Sequence, residues 1–259
     1  MNRIKSLFNN KKKDILSIYF TAGFPALNDT IPLLELLEKN GVNMVELGIP
    51  YSDPLADGPT IQDSSSVAIA NGMRIETLLT QLDGFRNKIS IPVVLMSYFN
   101  PIDQYGFERF CSEAKNVGID GLIIPDLPPF EYESCYKPII EKYNLAFCML
   151  ITSDTTSERI RKIDKLSNGF LYLVSTANTT GRTDSLTKHQ MDYFKRVSAM
   201  NLVNPLMVGF GVHNSTTYED ATKYCTGAII GSAFIRALKD SQYLDTTVQN
   251  FVRSIRHNK

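Results

Sequence analysis

M-V-E-L-G-I-P-Y-S-D-P-L-A-D-G, from Met44 to Gly58, joins a short apolar run to a loop stiffened by Pro50, Pro54 and, one residue beyond, Pro59. The run Met44–Gly48 has the length and composition of a strand, yet it carries an acid, Glu46, at its centre. A carboxylate buried there without a partner is costly, so Glu46 needs either an ion pair or a raised pKa. A structural ion pair and a functional acid at the mouth of a sheet both fit this pattern. The loop adds Asp53 and Asp57. Aspartates routinely initiate turns; the prolines and Gly58 also suit a loop that holds Asp57 in one place. Together Glu46 and Asp57 offer one group for proton transfer and one to anchor a donor or a developing positive charge.

Outward from this stretch the same kind of strand recurs. The candidates are Ile15–Thr21, Met44–Gly48, Val93–Tyr98, Gly121–Ile124, Ala146–Ile151, Phe170–Val174, Leu206–Gly209 and Ala228–Ile230. Between them lie helical patterns at Ile31–Asn40, Ile75–Asn87, Phe107–Val117, Glu131–Tyr143, Ser157–Leu166, His189–Met200 and Thr216–Lys223. Asn28-Asp29-Thr30 with Pro32 reads as a helix start, and Asn40-Gly41, Asn71-Gly72 and Val117-Gly118 as stops. Strands that are apolar throughout suit a parallel sheet covered on its outside. Repeated β-then-α units build either a barrel or an open doubly wound sheet. This number of units in 259 residues favours the barrel, and no G-x-G-x-x-G follows the first strand. The expectation is an α/β fold, a (β/α)8 TIM barrel forming one domain over residues 1–259, with an extra N-terminal segment. Its active face then lies at the C-terminal ends of the strands.

Bulk properties narrow the function. Lys plus Arg (27) equals Asp plus Glu (27), which gives no electrostatic footprint for nucleic acid or an anionic membrane. Lys11-Lys12-Lys13 before Ile15–Ala22 loosely mimics a signal peptide, but Asp14 interrupts it and the apolar stretch reads as a buried first strand. No apolar run has the length of a membrane span. Cys111, Cys135, Cys148 and Cys225 are widely spaced and suggest free thiols in a reducing cytoplasm.

Gly209-Phe210-Gly211 follows the seventh strand and Gly231-Ser232 the eighth. In barrels these positions often hold a phosphate against backbone N–H groups and a short helix N-terminus. Tight turns also use glycine, but the joint placement after neighbouring strands favours phosphate. The polar loop Ser175–Asp184 after the sixth strand reads as a lid, with Gly181 beside the phosphate. No lysine lies in the candidate strands to form a Schiff base. Only His213 lies near a strand end, so the residues do not suggest a metal site. Carboxylate acid–base chemistry remains.

E-L-G-I-P-Y-S-D-P-L-A-D-G-P-T-I-Q, Glu46 to Gln62, resembles a signature of the tryptophan synthase α subunit family. Met96-Ser97-Tyr98-Phe99-Asn100-Pro101, Pro125-Asp126-Leu127-Pro128 and Gly209-Phe210-Gly211 extend the resemblance over nearly the whole chain. It implies a lyase of tryptophan biosynthesis that cleaves indole-3-glycerol phosphate to indole and glyceraldehyde 3-phosphate. Glu46 matches the family's general acid/base and Asp57 the carboxylate that binds the indole N–H. Phe20, Ile61, Met96, Tyr98, Ile123, Tyr172 and Phe210 match the indole pocket. Gly181, Gly211, Gly231 and Ser232 match the phosphate site. The resemblance also implies a β-subunit partner in an α2β2 heterotetramer, docked near Tyr51–Asp57 and Asn100-Pro101. Pyridoxal phosphate then belongs to the partner, and this chain needs no cofactor or metal. In the lid, many relatives carry Arg and Gly-Val before Thr-Gly; here the run is S-T-A-N-T-T-G, from Ser175 to Gly181, with Thr180-Gly181 kept. Another phosphosugar barrel enzyme, such as an isomerase with Glu46 as base, and a non-catalytic barrel that binds and activates a β-type partner are the competing expectations.

Overall fold

The structure, a computed structural model, describes residues 2–174 and 185–256. Its strands are β1 (Ile15–Thr21), β2 (Met44–Gly48), β3 (Val93–Met96), β4 (Gly121–Ile123), β5 (Ala146–Phe147), β6 (Met149–Thr152), β7 (Leu171–Val174), β8 (Leu206–Gly209) and β9 (Gly227–Ile230). All neighbours pair in parallel, in the order β5-β4-β3-β2-β1-β9-β8-β7-β6. Only Cys148 separates β5 from β6. The two ends of the sheet are therefore halves of one bent strand, and the sheet closes into the expected barrel.

Side chains mend the ladder at that bend. The Phe147 N–H donates to Asn168 Oδ1 at 2.6 Å, and the Phe147 carbonyl accepts from the Asn168 N–H and the Ser167 hydroxyl. Cys148 N–H continues the pairing to the Leu122 carbonyl at 3.0 Å. These bonds satisfy the buried backbone groups that an interrupted strand leaves without ladder partners.

Several boundaries differ from expectation for local reasons. Strand β3 stops at Met96, because Tyr98 is already the N-cap of the helix Phe99–Tyr105. The expected helix Ile75–Asn87 ends at Gln81, and Gly84, at φ +70°, turns the chain into a short 3-10 segment, Phe85–Asn87. Within Glu131–Tyr143 a π turn, Tyr132–Tyr136, precedes Lys137–Lys142, where Pro138 lacks the N–H an α-helix would use. The helices Arg3–Asn10, Pro59–Ala70, Phe99–Tyr105 and Leu244–Ile255 lie beyond those expected.

The strands carry two apolar faces. Outward side chains such as Leu16, Val45 and Leu122 pack beneath the helices in one cluster. Inward ones, including Ile15, Met44, Val94, Phe170 and Met207, form a second. The N-terminal helix completes this inner cluster with Ile4 and Phe8, and Phe8 lies 6.1 Å from Phe170 between ring centroids. Asn2 caps the helix at Ile4 N–H, and its Nδ2 donates to the Asp120 carbonyl at 2.7 Å. The bottom of the barrel is thereby plugged.

Asp120 anchors that end. Its carboxylate accepts from Arg86 at 2.5 Å, Arg3 at 3.1 Å and the Val93 N–H at 3.0 Å. Burial pushes the Arg86 pKa down to about 10, and the nearby Asp120 charge opposes the shift. Asp120→Ala leaves Arg86 nearly enclosed without its counter-charge. It is expected to cost about 3 kcal/mol or more, read as a lower urea midpoint with the barrel's circular dichroism otherwise intact.

Candidate active site

Strand alternation decides which side chains reach the mouth. On β2, Met44 points into the barrel and Val45 and Leu47 into the helix layer, so Glu46 points inward. Glu46 is completely buried, and neither carboxyl oxygen has a hydrogen-bond partner among the described residues. The other buried carboxylates are treated differently. Asp120 has the partners given above; Asp164 accepts from the Val203 and Asn204 N–H groups and from Asn204 Nδ2. A structural ion pair at Glu46 is therefore not what the described residues form. Burial alone pushes its pKa well above the usual carboxylate range.

Tyr19 of β1 pairs in register with Glu46, and its hydroxyl rests against Gly48, the next inward position towards the mouth. A Cβ at Gly48 would overlap that hydroxyl, and one at Gly209 would overlap the Tyr172 ring. Glycine at these two strand ends lets both tyrosine rings lie across the barrel above its core. Both tyrosines feel the Glu46 charge.

Above them opens a cavity of about 820 Å³. Asp57, Ile61, Met96, Tyr172 and Phe210 line it, as do Gly211, Gly231 and Ser232. Asp57 is held from behind: its Oδ2 accepts from the Tyr98 hydroxyl at 3.0 Å, and the Tyr98 hydroxyl oxygen in turn accepts from the Ala56 N–H at 2.9 Å. Burial pushes the Asp57 pKa up, against the pull of the Tyr98 hydrogen bond. Gln62 Nε2 fixes the same loop through the Asp57 carbonyl at 2.9 Å. Elsewhere on the wall, Gly231 caps the helix Ser232–Lys239, whose first N–H groups have no intrahelical acceptor. Gly211 and Phe210 both adopt φ of +80°, which turns the chain after β8 around the cavity rim.

Not every expected residue reaches the cavity. Phe20 was expected in the indole pocket, but it lies on the outer face of β1, 6.5 Å from Phe234 between ring centroids. The inward residue is Tyr19, one position earlier, and it lines the cavity. Ile123 is inward but lies within the buried interior cluster. Tyr98 lines a small adjoining crevice with Tyr51 and Pro54, behind Asp57. Glu46 itself sits below the cavity walls. Gly181 and the lid Ser175–Asp184 lie outside the described residues. Arg236, Gln190 and His213 line the cavity without having been singled out as ligands. Arg236 had a readable signal, since it stands four residues, one helical turn, after Ser232.

The raised Glu46 pKa has a consequence for stability. The folded state holds this proton more tightly than the unfolded state, so the group's contribution is fully present below its unfolded pKa of about 4.3 and is lost as pH rises through the folded value. Glu46→Gln removes that loss. The variant should therefore gain on the parent chain as pH rises above about 4.3, by about 1.4 kcal/mol per pH unit until the folded pKa is passed, and should have no advantage near pH 4. Urea unfolding across this range measures it; equal pH slopes for the two proteins would contradict the burial argument.

A family model, tryptophan synthase alpha chain, matches residues 6–258. The tryptophan synthase alpha chain of Flavobacterium johnsoniae is 53% identical over 256 residues, covering 99% of this chain and all of the relative. That of Bacteroides thetaiotaomicron is 50% identical, covering 93% of this chain and 94% of the relative. Among solved structures, tryptophan synthase subunit alpha from Legionella pneumophila superposes with a TM-score of 0.89 at 33% identity, covering 99% of this chain and 97% of the other. A chain of tryptophan synthase from M. tuberculosis, in its aminoacrylate-bound form, gives 0.85 at 26% identity, covering 98% of each. With an unpaired acid beneath an apolar cavity and a match across almost its whole length, the chain belongs to the tryptophan synthase alpha chain family.

Proposed function

We propose that Glu46 and Asp57 carry the carbon–carbon cleavage by which this chain, a lyase of tryptophan biosynthesis, splits indole-3-glycerol phosphate into indole and glyceraldehyde 3-phosphate. The observation that carries the assignment is the buried Glu46 carboxyl, which has no partner among the described residues and lies in register with a cavity-lining tyrosine. In this retro-aldol reaction indole C3 gains a proton and its bond to the glycerol chain breaks. The bonding pair returns to the ring, and the hydroxyl of the departing carbon loses its proton as it becomes the aldehyde. One proton leaves and one arrives, so a single carboxyl that exists in both forms serves both ends. Burial lifts Glu46 out of the ordinary carboxylate range, the condition under which a carboxyl works as acid as well as base.

Protonation at C3 leaves positive charge on the ring nitrogen. Asp57 accepts the N–H there and must be ionised to do so, a state favoured by the Tyr98 hydroxyl. The indole lies among Tyr19, Ile61, Met96, Tyr172 and Phe210, and the phosphate against Gly211, Gly231 and Ser232. Gly181 of the lid is assigned to the phosphate as well.

The docking face for a β subunit is the loop Tyr51–Asp57 together with Asn100-Pro101. Asn100 Nδ2 donates to the Tyr51 hydroxyl at 3.1 Å, which joins the two segments, and Leu55 presents an apolar side chain that is 92% exposed. Two chains of each kind make the α2β2 assembly, with pyridoxal phosphate held by the β subunit and no cofactor in this chain. A cytoplasmic setting agrees with four free cysteines.

A coupled assay of indole release tests the assignment, with and without a β subunit. Glu46→Gln should lower kcat by about 10³-fold and Asp57→Asn by about 10²-fold. Turnover intact in both variants rules out these roles. Tyr98→Phe removes the donor that favours ionised Asp57, so the Asp57 pKa rises. The acid limb of the kcat/KM profile should move to higher pH; an unmoved limb would detach Asp57 from it.

A further inference from the structure

We infer that Arg236 is a ligand of the substrate's phosphate and supplies the positive charge that the glycine cradle lacks. This rests on the reading of Gly231-Ser232 as the phosphate end of the cavity. A phosphate monoester carries nearly two negative charges at neutral pH. Gly211, Gly231 and Ser232 offer neutral donors, and a helix N-terminus adds only about half a positive charge. The mismatch calls for a cation close by.

Arg236 stands one turn beyond Ser232 on the helix Ser232–Lys239, so the two share a face. Helical side chains lean towards the N-terminus, which directs the guanidinium back to the cradle. It lines the same cavity as Gly211, Gly231 and Ser232. Its Nη1 donates to Thr60 Oγ1 at 3.4 Å, which sets the group between the cradle and the start of the helix Pro59–Ala70, three residues after Asp57. Guanidinium presents forked donors that stay charged at any working pH, the geometry that phosphate oxygens accept best. The cavity thus offers an acid, Asp57, to an N–H donor and a cation, Arg236, to an anion. That polarity would select a phosphorylated substrate over its neutral alcohol and fix which way round it binds.

Calorimetric binding of glycerol 3-phosphate, with steady-state kinetics on indole-3-glycerol phosphate, tests this on the full chain. Arg236→Gln should raise both the Kd for glycerol 3-phosphate and the KM by about ten-fold, the factor that ~1.4 kcal/mol represents, with kcat changed far less. Arg236→Lys should recover much of the loss, and affinity for indole should not change. Three results overturn the inference: an unchanged Kd in Arg236→Gln, equal weakening of indole and glycerol 3-phosphate, or the same loss in Thr60→Val. Glycerol 3-phosphate binding that is weakened by Ser232→Ala but not by Arg236→Gln removes Arg236 alone. No binding by the parent chain removes the phosphate reading with it.

Discussion

A parallel sheet loses its free edges only when its first and last strands meet, and in this protein they meet within one segment. The bend at Cys148 lets Ala146–Phe147 pair with β4 while Met149–Thr152 pairs with β7. Closure makes the inner face a confined space into which each strand sends alternate side chains. The placement of Glu46, Tyr19 and Tyr172 follows from it: the same residues on an open sheet would face a helix layer or water. Asn168 and Ser167, far from the chemistry, are thus part of what makes the chemistry possible.

Enclosure has opposite effects on the acids it surrounds. Asp120 and Asp164 are buried, but each is met by several donors, and they tie loops and helices to the barrel's frame. Glu46 is buried without such donors, a standing penalty to the fold. Natural cores rarely keep such a group unless it works. Asp57 lies between these extremes, partly enclosed and steadied by one phenol. Two carboxyls close in sequence thereby meet different surroundings, and under the roles proposed for them it is these, rather than chemical identity, that would divide the work.

Much of this was legible in the sequence. The strand–loop run Met44–Gly58 carried its acids and its rigidity on its face, and glycines after the last strands marked the opposite end of the cavity. What could not be read had physical causes. On β1 the alternation of Ser17, Tyr19 and Thr21 with Leu16, Ile18 and Phe20 separates two faces but does not say which turns into the barrel; Tyr19 is the strand's one incompletely buried residue, level with Glu46 on β2. The break at Cys148 has no Gly or Pro to announce it, since it arises from closing the ring. The helix Pro59–Ala70 was hidden by its serines, one of which, Ser64, lies 2.7 Å from the Thr21 hydroxyl. The spacing of Arg236 from Ser232 is a weak signal, because a lone arginine on a helix is ordinarily solvated.

The plug of Ile4 and Phe8 closes the floor of the barrel among the described residues. Whatever enters must come in by the mouth, and after the bond breaks both fragments depart by the same route. The phosphorylated aldehyde and indole cannot leave from opposite ends, so their traffic is settled at the rim. That rim also carries exposed Leu55. A second protein seated on it would therefore control which fragment departs to solvent and which is handed on.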